Sequence, residues 1–328
     1  MARFFVTGAT GFLGGELVKQ LIGRGHQVVA LVRSLDRATL LSAMGVELHT
    51  GDITNRESLR TPMRSADGVF HVAAWYKLGV RDSSGIAERV NVDGTRYVLD
   101  MARELAIQRV VYTSTVSVFG DTYGKLVNES YSAHGPFLTE YDRSKWRAHY
   151  DVAVPLMQAG LPLIIVMPGA IYGPGDTSAV HRTLVRLLRG RLLMTPKGVT
   201  FCWGYVEDIA RGLRQAMDAG RVGESYLLTG PAHTFQDVFA TAARIVGRRP
   251  PPLHPPRFMM RAAASLAALL EKWDFRAPYP AEVLRLMAGT TWIATSAKAE
   301  GELGFTARPL DEGLRHTIEH ELRQLGMS

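Results

Sequence analysis

Tyr141 and Lys145 stand four residues apart in Tyr141-Asp142-Arg143-Ser144-Lys145, a spacing that puts a phenol and an ammonium on one face of a helix. A phenol of pKa about 10 is a poor acid or base near neutrality, and a neighbouring ammonium favours its ionised form. Upstream, the buried-strand pattern Arg109-Val110-Val111-Tyr112 runs into the hydroxyls Thr113, Ser114, Thr115 and Ser117. A hydroxyl at such a strand end can hydrogen-bond a substrate oxygen that a nearby tyrosine protonates. Plainer roles stand beside these: hydroxyls cap turns, and a Tyr-x-x-x-Lys pair can be an exposed helix face. A third group opens the chain, where Phe4-Phe5-Val6-Thr7 leads into Gly8-Ala9-Thr10-Gly11-Phe12-Leu13-Gly14. A strand turning through glycines into a helix lets backbone approach a pyrophosphate at the helix N-terminus, where free N–H groups and the helix dipole favour negative charge.

Such groups need a frame that brings strand ends together. Strands are read at Arg3–Thr7, Gln27–Val32, Val46–His49, Gly68–Val72, Arg109–Ser114 and Leu163–Met167, and amphipathic helices alternate with them. This α/β alternation predicts a doubly wound parallel sheet buried on both faces. The helix read over Tyr141–Gln158 contains Pro155, which should kink or end it. After Gly173 helical segments dominate, one strand-like piece at Ser225–Thr229 returns to the sheet, and prolines cluster over 250–256. The expected division is a dinucleotide-binding domain over 1–175, with 200–232 returning to it. Residues 176–199 and 233–328 form a smaller, mainly helical C-terminal substrate lobe.

Composition narrows the partners. The chain has 328 residues, 46% hydrophobic and 21% charged, as in an ordinary globular protein. Its one cysteine, Cys202, provides neither a disulfide framework nor a metal cluster. The formal charge of +7 is spread without basic–aromatic runs, so a phosphorylated cofactor or anionic substrate explains it without nucleic acid. The chain starts on a strand rather than a leader, and a cytoplasmic location is expected. Phe258–Leu270 is too short to span a bilayer and is interrupted by Arg261; a buried or subunit-facing helix, and so a homodimer, is the simpler expectation over membrane-surface contact.

The glycine loop, hydroxylated strand end and Tyr-x-x-x-Lys, in this order, resemble the extended branch of the short-chain dehydrogenase/reductase superfamily, with its Rossmann sheet. Thr7-Gly8-Ala9-Thr10-Gly11-Phe12-Leu13-Gly14 is similar to its glycine motif, and Asn91-Val92-Asp93-Gly94-Thr95 to its helix motif. Pro168-Gly169-Ala170-Ile171-Tyr172-Gly173-Pro174-Gly175 resembles its post-strand loop. The resemblance implies that Tyr141 is the catalytic acid/base, that Lys145 lowers its pKa and holds the nicotinamide ribose, and that Thr115 occupies the catalytic Ser/Thr position. It also implies cofactor contacts from Gly8, Thr10, Gly11, Phe12, Leu13, Gly14 and Pro168, from Asp52 and Ile53 beside the adenine, and from Ala73 and Ala74 beside the ribose. Asp52 could equally be a turn residue.

At the end of the second strand the chain carries Arg33 and Ser34, with Arg37 nearby, where an NAD site would place an acid for the ribose 2′-hydroxyl. Arginine pairs bidentately with phosphate, so NADP is expected rather than NAD. Val166-Met167-Pro168-Gly169 lacks the Asn with which sugar-nucleotide enzymes of this branch hold a diphosphate. The chain therefore looks more like the dihydroflavonol reductase and 3β-hydroxysteroid dehydrogenase group, including bacterial dihydroflavonol-reductase-like proteins and hopanoid-associated sugar epimerases. The expected activity is NADP-dependent reduction of a ketone or aldehyde to an alcohol, or the reverse. A sugar-nucleotide epimerase or dehydratase and a non-catalytic dinucleotide sensor are the alternatives. Trp75, Tyr76, Phe119, Trp203 and Tyr205 suggest an aromatic-lined pocket, with ordinary packing as the other reading.

Overall fold

The continuous apolar runs of the first half form a seven-stranded sheet in which every neighbouring pair is parallel. A computed structural model describes residues 1–77, 84–273 and 279–327. Its strands are β1 (Arg3–Thr7), β2 (Gln27–Val32), β3 (Glu47–Thr50), β4 (Gly68–His71), β5 (Val110–Thr113), β6 (Leu163–Pro168), β7 (Ala170–Tyr172), β8 (Thr200–Tyr205), β9 (Ser225–Leu228), β10 (Ala232–Thr234) and β11 (Thr291–Trp292). The large sheet has the order β3-β2-β1-β4-β5-β6-β9. Strand order reverses between β1 and β4, and the crevice beyond their carboxyl ends is where open α/β sheets bind ligands.

Alternation along each strand feeds two cores. Phe5, Val29, Val69 and Ile165 face one side, and Phe4, Val6, Val28 and Ile164 the other. The Phe12–Gly23 helix covers the second core with Leu17, Val18 and Leu21 fully buried, each contributing about 1.5–3 kcal/mol. It packs against the Val206–Ala219 helix.

Two differences from the sequence reading have physical causes. Pro155 does not end its helix: the Glu140–Arg147 helix passes through a widened π segment, Ala148–Ala153, and continues as Val154–Gln158. The wide turn accommodates a residue without an N–H. The second half is also less purely helical than expected, because β7, β8, β10 and β11 form a second sheet. β8 is its centre, with β10 antiparallel along Thr200–Cys202, β11 parallel at Thr200–Phe201 and β7 parallel at Trp203–Tyr205. Within 200–232, then, β8 pairs in the small sheet while β9 pairs in the large one.

Candidate active site

Backbone approach is what the glycine loop provides. Gly8 has a φ of 74° and accepts a hydrogen bond from the Gly11 amide at 2.9 Å. A Cβ on Gly8 would lie 2.7 Å from the Ala73 amide nitrogen, and one on Gly14 would lie 2.1 Å from the Gly8 carbonyl oxygen. The helix that follows has Gly11 at its N-cap with no side-chain cap bond, so its first amides are left to a ligand. Thr10 and Gly11 are exposed and Phe12 half-buried, while the Leu13 side chain is core. Only the Leu13 backbone is available to a cofactor. These features fit a dinucleotide pyrophosphate.

The other expected cofactor residues surround this loop on adjacent strand ends. Arg33 is exposed just past β2, with Ser34 half-buried beside it, and among the described residues Arg33 has no ion-pair partner. Ala73 and Ala74 follow β4, where the Ala73 amide donates to Thr7 Oγ1 at 3.2 Å. Asp52 closes a turn, its Oδ1 accepting from the Thr54 amide at 2.9 Å and hydroxyl at 2.8 Å. Ile53 is buried against Gly94. Pro168 ends β6 in the core, and the Gly169 amide donates to the Leu228 carbonyl at 3.3 Å.

Thr139 caps the helix that carries Tyr141, accepting from the Asp142 amide at 2.9 Å, and so fixes the first turn. Thr115 stands beside the Tyr141 hydroxyl, near enough to favour its ionised form. Thr115 in turn accepts from the Ser117 amide at 3.2 Å. Tyr76 meets the Tyr141 ring edge-on at 4.8 Å. Burial pushes the phenol of Tyr141 up, Tyr76 and Asp142 add to this, and Thr115 opposes it. The Tyr–Lys spacing alone predicts the opposite direction, but Lys145 is not among the groups that shift this phenol, and desolvation sets the sign. Lys145 Nζ points instead toward β5, donating to Tyr112 Oη at 3.0 Å and the Thr113 carbonyl at 2.8 Å. Its side chain is buried and has no carboxylate partner among the described residues, and burial brings the amine down to about 7.

That shift has a measurable sign. A base whose folded pKa is lowered binds fewer protons folded than unfolded between about 7 and its ordinary 10.5. Stability should therefore rise with pH across this window. Urea unfolding of the parent and of Lys145→Met is expected to show the parent gaining on the variant from pH 7 to 10; parallel profiles would contradict the buried amine.

Several site-supporting residues escaped the sequence reading. Tyr112 looks like any β-strand core position, and its hydroxyl reaches Lys145 only through the fold. Behind it, His71 joins Thr7 (2.8 Å) and Thr95 (3.0 Å), and burial lowers its pKa to about 3, which keeps it neutral. Asn91, from the helix motif, donates to Ser144 Oγ at 2.9 Å and accepts from the Trp75 amide at 2.7 Å. It thereby ties the Lys145 helix to the Trp75–Tyr76 segment. Asp142 is buried, which raises its carboxyl to about 6 against hydrogen bonds from Thr139 and Ser117. Thr139-x-x-Asp142 is a capping-box pattern that the sequence does display.

The aromatic-lined pocket is not observed as expected. Phe119 packs on Tyr131, and Trp203 and Tyr205 are core residues of the second sheet beside Tyr172. Arg308 Cζ lies over the Tyr205 ring, 4.0 Å from the ring centroid, and Arg308 is held by Asp208. Trp75 is buried, so of the five only Tyr76 is an exposed ring at Tyr141. Alternation along β8 sends Phe201, Trp203 and Tyr205 to one packed face. Among the described residues no cluster of three or more metal-ligating side chains occurs, and no helix is long and apolar enough to cross a membrane.

The model of the NAD dependent epimerase/dehydratase family matches residues 4–228. The chain is 34% identical over 274 residues to sterol demethylase protein B of Methylococcus capsulatus, covering 82% of each. It is 32% identical over 314 residues to a 4-hydroxy-2-methyl-3-oxo-4-farnesyl-3,4-dihydroquinoline-1-oxide ketoreductase of Stigmatella aurantiaca, covering 93% of this chain and 92% of the relative. A putative dihydroflavonol 4-reductase of Synechocystis is 34% identical over 254 residues, 74% of this chain and 72% of that one. Among solved structures, gox2253 superposes with a TM-score of 0.87 at 28% identity over the whole of both chains.

Proposed function

The chain belongs to the NAD dependent epimerase/dehydratase family, and from that premise we propose that it is an NADP-dependent reductase of a bulky, largely apolar ketone or aldehyde, reversible toward the alcohol. The observation that carries the reading is Tyr141 in the first turn of a helix fixed by Thr139, beside Thr115 and edge-on to Tyr76, with burial keeping its phenol protonated. A protonated phenol is the form a reduction needs.

A nicotinamide dinucleotide supplies or accepts the hydride when bound. The Gly8–Gly14 loop holds its pyrophosphate, Arg33 and Ser34 the 2′-phosphate, and Asp52, Ile53, Ala73, Ala74 and Pro168 its flanks. Thr115 donates to the carbonyl oxygen and orients it, and Tyr141 delivers the proton to that oxygen. Lys145, anchored by Tyr112 Oη and the Thr113 carbonyl, would hold the nicotinamide ribose with an amine that burial brings down to about 7. Relatives named as ketoreductase and dihydroflavonol 4-reductase support reduction over epimerisation. So does the Pro168–Gly169 segment. Pro168 has no amide hydrogen and that of Gly169 is engaged with Leu228, so neither supplies the donors that a desolvated diphosphate requires.

Two measurements test this. NADPH oxidation against a panel of aldehydes and ketones is expected to reveal turnover with a bulky hydrophobic carbonyl, while calorimetry finds no micromolar binding of UDP- or dTDP-sugars. Tight sugar-nucleotide binding by the NADP-loaded protein reverses the assignment. Arg33→Ala is expected to weaken NADPH at least about tenfold, in line with the roughly 1.5–3 kcal/mol of a charge-assisted bond, and NADH hardly at all. A parent protein that prefers NADH overturns the cofactor choice.

A further inference from the structure

Large apolar side chains left in water are not scattered over this protein. Of the sixteen in the described residues, nine lie in the 193–194 and 253–279 stretches. Phe258, Met259, Leu266 and Leu269 belong to the Arg257–Lys272 helix and Trp273 is its C-cap, while the helix buries only Met260, Ala264 and Ala267. The opposite side presents Phe258, Ala262, Leu266, Leu269 and Trp273 at intervals of four, four, three and four residues, one straight stripe along the helix. Phe258 is 70% exposed and Trp273 is 74% exposed, so an aromatic ring stands near each end of a leucine-bearing stripe. Leu193, Met194 and Leu253 extend the apolar area beyond the helix start, joined by the Met194–Leu253 bridge.

Charge is concentrated in the same place. Residues 187–199 and 248–273 contain eight Lys and Arg and a single acid, Glu271, which accounts for the entire formal charge of +7 and leaves the rest of the chain balanced. Arg261 and Lys272 lie along one edge of the stripe, and Lys197 with Arg261 borders an open hollow at the helix start. Arg257 ties that start to the body, donating to the Ala288 and Gly289 carbonyls at 3.2 and 2.6 Å.

We propose that the exposed face of the Arg257–Lys272 helix, with its basic surround, docks this protein on an anionic lipid bilayer, the stripe entering the headgroup–acyl boundary. An apolar stripe with aromatic ends and a basic border is what such a surface retains. A second copy of the chain suits it poorly: an isologous contact would bring two strongly positive patches face to face. Nucleic acid would satisfy the charge but leave the leucines in water. The proposal does not depend on the reductase reading. The segment tied by Arg257 does, however, lead directly to β11 and to Asp121, which accepts from the Thr291 amide at 3.0 Å shortly after the Thr115 segment. A docked helix would therefore set the site's surroundings close to the membrane.

Flotation of the full-length protein on density gradients tests this, using phosphatidylcholine vesicles with and without phosphatidylglycerol. The protein should float with the phosphatidylglycerol vesicles at about 0.1 M salt. Flotation should weaken at about 1 M, as the screening length falls from ~10 to ~3 Å. Leu266→Glu combined with Leu269→Glu should cut the bound fraction at least about tenfold, and Arg261→Glu combined with Lys272→Glu should do likewise. All four positions are exposed, so both variants should keep the parent's melting temperature and NADPH binding. No flotation with anionic vesicles, or equal flotation of the Leu266/Leu269 variant, overturns the proposal. So does a concentration-dependent dimer that these substitutions abolish in a protein that never floats; the face would then belong to a second copy.

Discussion

Tyr141→Phe should lose turnover by about 10²–10⁴, the range credited to a positioned general acid, while the affinity for NADPH stays unchanged. The barrier then rises by roughly 3–5 kcal/mol. The substitution keeps the ring and its edge-on contact with Tyr76, and removes only the hydroxyl beside Thr115. Thr115 retains the Ser117 amide as a donor, so the variant should fold and bind dinucleotide normally. Steady-state kinetics beside a fluorescence titration of NADPH separate the two effects: kcat falls and the dissociation constant does not. Turnover within about tenfold of the parent would mean that the proton comes from elsewhere. Among the nearby groups, Asp142 is the one to examine next, since its buried carboxyl is raised to about 6 and leaves Oδ1 without a hydrogen-bond partner.

What could be read from the chain, and what could not, follows from the range of the interactions. The parallel sheet was legible because strands such as Val28–Val32 are apolar throughout, and burial on both faces leaves that mark. Tyr141 and Lys145 were legible as a pair because helical spacing is a local rule. The direction in which Tyr141 is shifted was not, because it depends on how much of the fold closes over the phenol. The partner of Lys145 was equally hidden, since Tyr112 lies 33 residues away. β8 was missed for a different reason. Its Trp203 and Tyr205 were weighed as pocket linings, when their alternation with Phe201 marks the packed face of a strand. The Arg257–Lys272 helix shows the same limit from the other side: its apolar content was plain, but only the fold reveals which face is left uncovered.

The glycine loop allows a sharper separation of chemistry from packing, because two adjacent glycines face different surroundings. A Cβ on Gly14 would stand 2.1 Å from the Gly8 carbonyl oxygen and 2.7 Å from its carbon. Both are backbone atoms, and no rotamer change can relieve the contact. Either the helix moves away from the loop or the Gly8 carbonyl turns, breaking its bond from the Gly11 amide. On Gly15 a Cβ would meet only the Ala9 carbonyl oxygen, at 3.5 Å, an ordinary contact. Gly14→Ala is therefore expected to destabilise by on the order of 1–3 kcal/mol, as overpacking does. It should also reduce dinucleotide affinity by more than about tenfold, because the amides aimed at the pyrophosphate are displaced. Gly15→Ala is expected to stabilise by about 0.5–1 kcal/mol through helix propensity, with affinity retained. Denaturant unfolding and NADPH titration of both variants check the contrast. Equal losses at the two positions would show that the loop tolerates no side chain at all; normal binding by Gly14→Ala would remove the pyrophosphate from this helix terminus.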